Sequence, residues 1–169
     1  MILMVVVIAG LYLVYANRTQ PVSTPKKLYT YTVSQQNPDT LTGAMNVSQG
    51  ETQQVNLALS SMDSAEIAVP IESLTLIAYN NTVALNNWNT SLVQQSVFNY
   101  SFSLNQLTLQ PGSSNSTTLT IKWADNAPAG KYTLDIDLGN VKFLSTPGKY
   151  DISYSESISL GIIVTPKGT

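Results

Sequence analysis

From Leu28 onward, apolar and polar residues alternate one for one. Tyr29, Tyr31 and Val33 interleave with Thr30, Thr32 and Ser34. The same period returns at Val55, Leu57 and Leu59, at Leu119, Ile121 and Trp123, and at Tyr132, Leu134, Ile136 and Leu138. It continues at Tyr150, Ile152 and Tyr154, then at Ile158, Leu160, Ile162 and Val164. Successive side chains of a strand point to opposite faces, so strict alternation sets one face on a core and the other in water. Leu74–Tyr79 and Val97–Leu109 read as further strands, for about eight or nine in all. No stretch after residue 20 keeps a helical period.

Turn chemistry falls between these runs. Gln110-Pro111-Gly112 signals a turn, and Pro147-Gly148 signals another. Asp125–Gly130 reads as a hairpin-like loop, and Gly139-Asn140 as a tight two-residue turn between Leu138 and Val141. Short strands with turns at this spacing predict an antiparallel β-sandwich rather than a parallel sheet.

The first residues follow a different pattern. Met1–Ala16 carries no charge and almost no polar side chain. As a helix it spans roughly 24 Å, near the short limit for a bilayer core of about 30 Å. Continued through Asn17–Gln20 it stops at Pro21. The chain therefore divides into an apolar assembly or anchor segment (1–20), a Pro-containing linker (21–27) and a β head (28–169). Three roles fit the first segment. It is a secretory signal ending at Ala16, a permanent membrane anchor, or a retained apolar terminus exposed when a peptidase removes a basic leader. No basic residue precedes the apolar run, which disfavours the signal.

Composition narrows the function. Charged residues make up 11% of the 169, and the net charge is −2. No basic stripe is present to hold a phosphate backbone, so nucleic acid is not expected as a partner. Asn, Gln, Ser and Thr stand where charges usually do, and such a surface keeps its properties in acid. There is no Cys and no His. Disulfides, thiolate chemistry and the commonest general base and metal ligand are thus excluded.

The stretch Leu109–Leu138 (LQPGSSNSTTLTIKWADNAPAGKYTLDIDL) resembles the Ig-like modules of prokaryotic surface proteins. These carry a Pro-Gly turn, a Thr-rich alternating strand, an Ala-Pro-x-Gly loop and a Tyr-Thr strand. The whole layout resembles archaeal surface-filament subunits of the type IV pilin superfamily. That resemblance implies one N-terminal hydrophobic helix followed by a mainly β, Ig-like antiparallel sandwich, often glycosylated. It implies a homopolymer packed through Met1, Ile2, Leu3, Val5, Val6, Val7, Ile8, Leu11, Leu13 and Val14. The apolar run is shorter than most pilin helices, which brings a simple anchor into contention. Accessory archaellum proteins, with one membrane helix and an Ig-like domain that touches the surface layer, are similar in layout. Donor-strand filaments are a further class, with Met1–Ala16 or Leu28–Ser34 completing a neighbour's sheet. For Leu28–Ser34, the first strand of its own sandwich is the favoured reading.

Six Asn-x-Ser/Thr sequons are present, at Asn17, Asn46, Asn80, Asn89, Asn99 and Asn115. With 14 Asn, chance alone gives about three. Each accepts an N-glycan if the chain meets the transferase across a membrane. Asn115 reads as lying in a polar loop, and Asn99 within a strand. Asp135 and Asp137 share the polar face of one strand, a spacing that binds a cation or, more commonly, is simply solvated. Trp123 continues an apolar face and reads as core; Trp88 sits among Asn residues and reads as a loop contact. No phosphate loop, nucleophile elbow or His-based metal motif occurs. The expectation is a non-enzymatic, extracellular subunit, membrane-inserted before assembly, without cofactor, metal or small-molecule substrate. Its partners are copies of itself or the surface layer.

Overall fold

The computed structural model describes residues 27–35, 44–80, 82–83, 96–145 and 155–168. The expected N-terminal helix, the sequons at Asn17 and Asn89, Trp88, the Tyr150–Tyr154 run and the Pro147-Gly148 turn lie outside these residues.

Eleven strands form among the described residues. They are β1 (Tyr29–Gln35), β2 (Met45–Ser48), β3 (Thr52–Ser61), β4 (Ile67–Tyr79), β5 (Thr82–Val83) and β6 (Phe98–Phe102). Then come β7 (Gln106–Leu109), β8 (Ser114–Trp123), β9 (Gly130–Leu138), β10 (Lys142–Phe143) and β11 (Glu156–Thr165). They build two sheets, one of four strands in the order β1-β3-β8-β6 and one of seven. In the larger sheet β4, β9, β11 and β2 lie in sequence, and β5, β7 and β10 also pair with β4.

Alternation does what the pattern demands. Val55, Leu57 and Leu59 of β3 are buried, as are Leu119, Ile121 and Trp123 of β8. Tyr132, Leu134, Ile136 and Leu138 of β9 face them from the other sheet, with Ile158, Leu160, Ile162 and Val164 of β11. One continuous apolar core results. An aromatic chain crosses it. Phe98 lies 5.2 Å from Trp123, Trp123 lies 4.9 Å from Tyr132, and Tyr132 lies 4.9 Å from Tyr79, centroid to centroid. Tilted ring pairs of this kind add to the burial of their area.

Leu28 is buried, and β1 pairs with β3 of its own chain over seven residues. The strand after the linker therefore serves its own sandwich. Tyr31, opposite Leu59, keeps the inner face but is 40% exposed, on a strand that ends the four-stranded sheet among the described residues.

Four expectations need correction. The sandwich is not wholly antiparallel: β2 runs parallel to β11, with Met45 opposite Ile162. Asp125–Gly130 is not a hairpin loop. It carries the chain from β8 in the small sheet to β9 in the large one. The Tyr132 hydroxyl donates to Pro128 O (2.6 Å), Tyr79 to Ala129 O (2.9 Å) and the Gln49 amide to Ala127 O (2.6 Å), so the crossover is pinned down. Gly139-Asn140 is not a turn between paired strands. β9 and β10 both pair antiparallel to β4, and Gly139 N donates to Pro70 O between them. The chain stays along β4 through this irregularity. Asn115 lies in no loop; it is within β8, opposite Leu59. By contrast, Gln110–Ser113 is the expected turn, closed by Ser113 N on Gln110 O (3.0 Å), with Gly112 at φ 68°.

Candidate functional site

The two outer faces of the sandwich carry the exposed chemistry. On the four-stranded sheet the polar positions fall into ranks across the strands. Thr30, Ser60 and Ser114 form one, Thr32, Ala58 and Ser116 the next, and Ser34, Asn56 and Thr118 a third. Gln54, Thr120 and Ser101 follow, then Thr52, Lys122 and Asn99. Strand pairing sets neighbours within a row about 4.8 Å apart across the sheet. The Ser60 and Ser114 hydroxyls touch at 2.7 Å. Lys122 is the one charge among these positions.

The seven-stranded sheet differs. Asp135 and Asp137 do share its outer face, as their spacing requires. Pairing then sets Asp137 opposite Ser73 on β4 and Ser157 on β11. Ser73 Oγ and Thr75 Oγ1 both donate to Asp137 Oδ2 at 2.7 Å, and Ser157 Oγ donates to Oδ1 at 3.1 Å. Ser159 Oγ donates to Asp135 Oδ1 at 2.7 Å. Burial pushes the Asp137 carboxyl up, but the three hydroxyl bonds outweigh it and hold the group below its usual range. The four hydroxyls come from strands far apart in sequence, so no local motif could reveal them.

A bulge in β4 lies between Ile71 and Ser73, at Glu72. Glu72 then joins Asp137, Glu156, Ser73, Ser155 and Ser157 around an open hollow. The Glu72 side chain lies over Gly139, in the space that a Cβ there would take. Among the described residues no group of three or more acidic side chains is arranged to hold a metal ion. The arrangement is a row of carboxylates in which Asp137 accepts three hydroxyl bonds and Asp135 one.

The sequons fall in three settings. Asn46 and Asn99 are exposed on β2 and β6, which end their sheets. Asn80 holds a left-handed turn (φ 48°) before β5, where its Oδ1 accepts from Lys131 N at 2.9 Å. Asn115 is tied down: Nδ2 donates to Thr108 O (3.2 Å), and Oδ1 accepts from Ser116 N (2.8 Å). Trp123 is core, 1% exposed, as its place in the alternation implied. Among the described residues no helix is long and apolar enough to cross a membrane.

No protein-family model matches the chain, and no curated sequence does. Solved structures similar in fold include a PapD-like domain of human CEP192 at 9% identity and TM-score 0.45, covering 89% of this chain and 96% of that one. A FixG-related protein from Vibrio parahaemolyticus matches at 8% identity and TM-score 0.46, over 82% of this chain and 98% of that one. A Salmonella enterica structure of SafA pilin in complex with the SafB chaperone matches at 13% identity and TM-score 0.42, over 85% of this chain and 59% of that chain. These TM-scores are all below one half, and the likeness carries no binding partner across.

Proposed function

We propose that this chain is a structural subunit of an extracellular, pilus-like filament, with Met1–Ala16 as the assembly element and the sandwich as an outward-facing head. The observation that supports this is that the described residues form a sandwich around one continuous apolar core, while Met1–Ala16 is a separate uncharged run in the sequence. The strands of both sheets bury their inner faces against one another, and β1 is paired at home. An uncharged run such as Met1–Ala16 gains by leaving water. Each large apolar side chain it buries contributes about 1.5–3 kcal/mol. Packing among copies of the same segment satisfies it in a polymer, and lipid satisfies it before assembly.

The role is mechanical rather than enzymatic, with no cofactor or small-molecule substrate. The head contributes neutral, hydroxyl-rich surface and N-glycans for adhesion or surface contact, in an archaeal-type envelope. A membrane-anchored Ig-like protein that binds the surface layer is the second reading. It draws on the same head, with lipid as the permanent home of residues 1–20. Particle size in mild detergent separates the two. Polydisperse, high-mass species from the full chain support the filament; a uniform monomer or dimer in a micelle supports the anchor.

A further inference from the structure

We infer that folding gives two of the sequons opposite fates: Asn99 stays open to an oligosaccharide transferase in the finished domain, whereas Asn115 is readable only before the domain folds. The inference rests on the surface-glycoprotein reading above and adds to it the place and order of modification.

The chemistry sets the requirement. Asn Nδ2 forms a bond to the anomeric carbon of a sugar carried on a lipid phosphate. The bond from that carbon to the phosphate oxygen breaks, the lipid phosphate leaves with the electron pair, and the amide gives up one proton. A sequon is defined by its third residue as well as its first, so the transferase reads the Ser/Thr hydroxyl along with the amide. Both groups must be reachable at once.

At Asn99 both are. Asn99 and Ser101 are exposed and, two apart on β6, stand on the same outer face. Among the described residues β6 has no partner strand on the side away from β8.

At Asn115 only one of the two is: the asparagine is exposed, but the third residue of its sequon is not. The residue takes core-side parity on β8, and its amide nitrogen is spent on Thr108 O of the opposite sheet. Its third residue, Thr117, is the one buried polar side chain among the described residues, 1% exposed. Thr117 Oγ1 accepts from Leu104 N and donates to Leu104 O, each at 3.0 Å, and it meets Ser103 Oγ at 3.1 Å. These bonds hold the corner where the chain leaves β6 in one sheet for β7 in the other. Reading the Asn115 sequon means pulling Thr117 out of the core and opening that corner.

The test uses the folded full chain in mild detergent, a purified transferase that accepts Asn-x-Ser/Thr peptides, and its lipid-linked oligosaccharide. Peptides 95–105 and 111–121 give reference rates, and site-resolved mass spectrometry follows each position. Asn99 in the folded chain should react within about threefold of its peptide, and Asn115 at least about tenfold slower than its own, because the buried Thr117 hydroxyl is reached only through local opening. Ser101→Ala should abolish transfer at Asn99 and leave the fold intact. Equal rates for Asn115 in the folded chain and the peptide would overturn the inference, as would a blocked Asn99. Glycan analysis of the native chain addresses the underlying reading separately: a bare native chain refutes the surface glycoprotein, whatever the rate ratio.

Discussion

The outer face of the four-stranded sheet is a field of Thr, Ser, Asn and Gln with Lys122 as its charge among the described positions. The outer face of the seven-stranded sheet holds Asp135 and Asp137 under four hydroxyls. The same period-two rule produced both. Alternation decides which positions meet water; it leaves open which polar chemistry stands there. A carboxylate is held on one face because the two neighbouring strands, β4 and β11, bring donors to it, and the other face carries no carboxylate among the positions named above. The two faces should therefore respond differently to mutation and to acid.

Both faces rest on one core, so the largest effect comes from breaking what they share. Trp123→Ala should cost about 3–5 kcal/mol by removing the centre of the aromatic chain between the sheets. Urea unfolding reads this as a lowered midpoint. Next is the corner that passes between sheets. Thr117→Val keeps the shape and strands Leu104 N, at a cost of about 1–3 kcal/mol. A neutral result would mean that the corner is not held by this hydroxyl.

The contrast between faces is sharpest in acid. The folded Asp137 carboxyl sits below its ordinary value of 3.8. A depressed value stabilises the fold above the unfolded pKa, and that contribution is lost as pH falls through the lower folded value. Asp137→Asn should therefore destabilise at neutral pH by about 1–2 kcal/mol through weakened hydroxyl bonds. The gap to the wild type should close as the pH drops below 3.8. Thr120→Ala on the neutral face should change stability by less than about 0.5 kcal/mol at either pH. Denaturant midpoints across pH check both. Equal acid responses for the two variants would erase the distinction.

What the sequence made legible, and what it hid, follows from the same topology. The inner faces of β3, β8, β9 and β11 were readable because each is half buried, with strict alternation. The first half of β4 was not. Ile67, Ala68 and Val69 are all buried, so the alternation disappears, and Pro70 discourages a strand reading. β2 is four residues long and pairs in parallel with the last strand, which no local signal announces. Turn residues at Asp125–Gly130 and Gly139-Asn140 were real breaks, but their geometry depended on sheet membership. From β1 to β4 the chain changes sheet at every connection, and again from β6 to β9, so a break that resembles a hairpin is a crossover. The Asp135–Asp137 pair was visible as a face; its hydroxyl partners on β4 and β11 were a tertiary fact. The loop expected around Asn115 failed because Ser114–Thr118 is polar on both faces, which hides the alternation, yet is paired to β3 from Ser114 to Thr118.

Electron microscopy of the full chain, with Met1–Ala16 intact, tests the central claim most directly. The account predicts regular filaments with the apolar segments at the axis and the sandwich heads outside. Single particles in detergent micelles, with no filaments as detergent is withdrawn, would contradict it and leave an anchored surface-binding protein in its place.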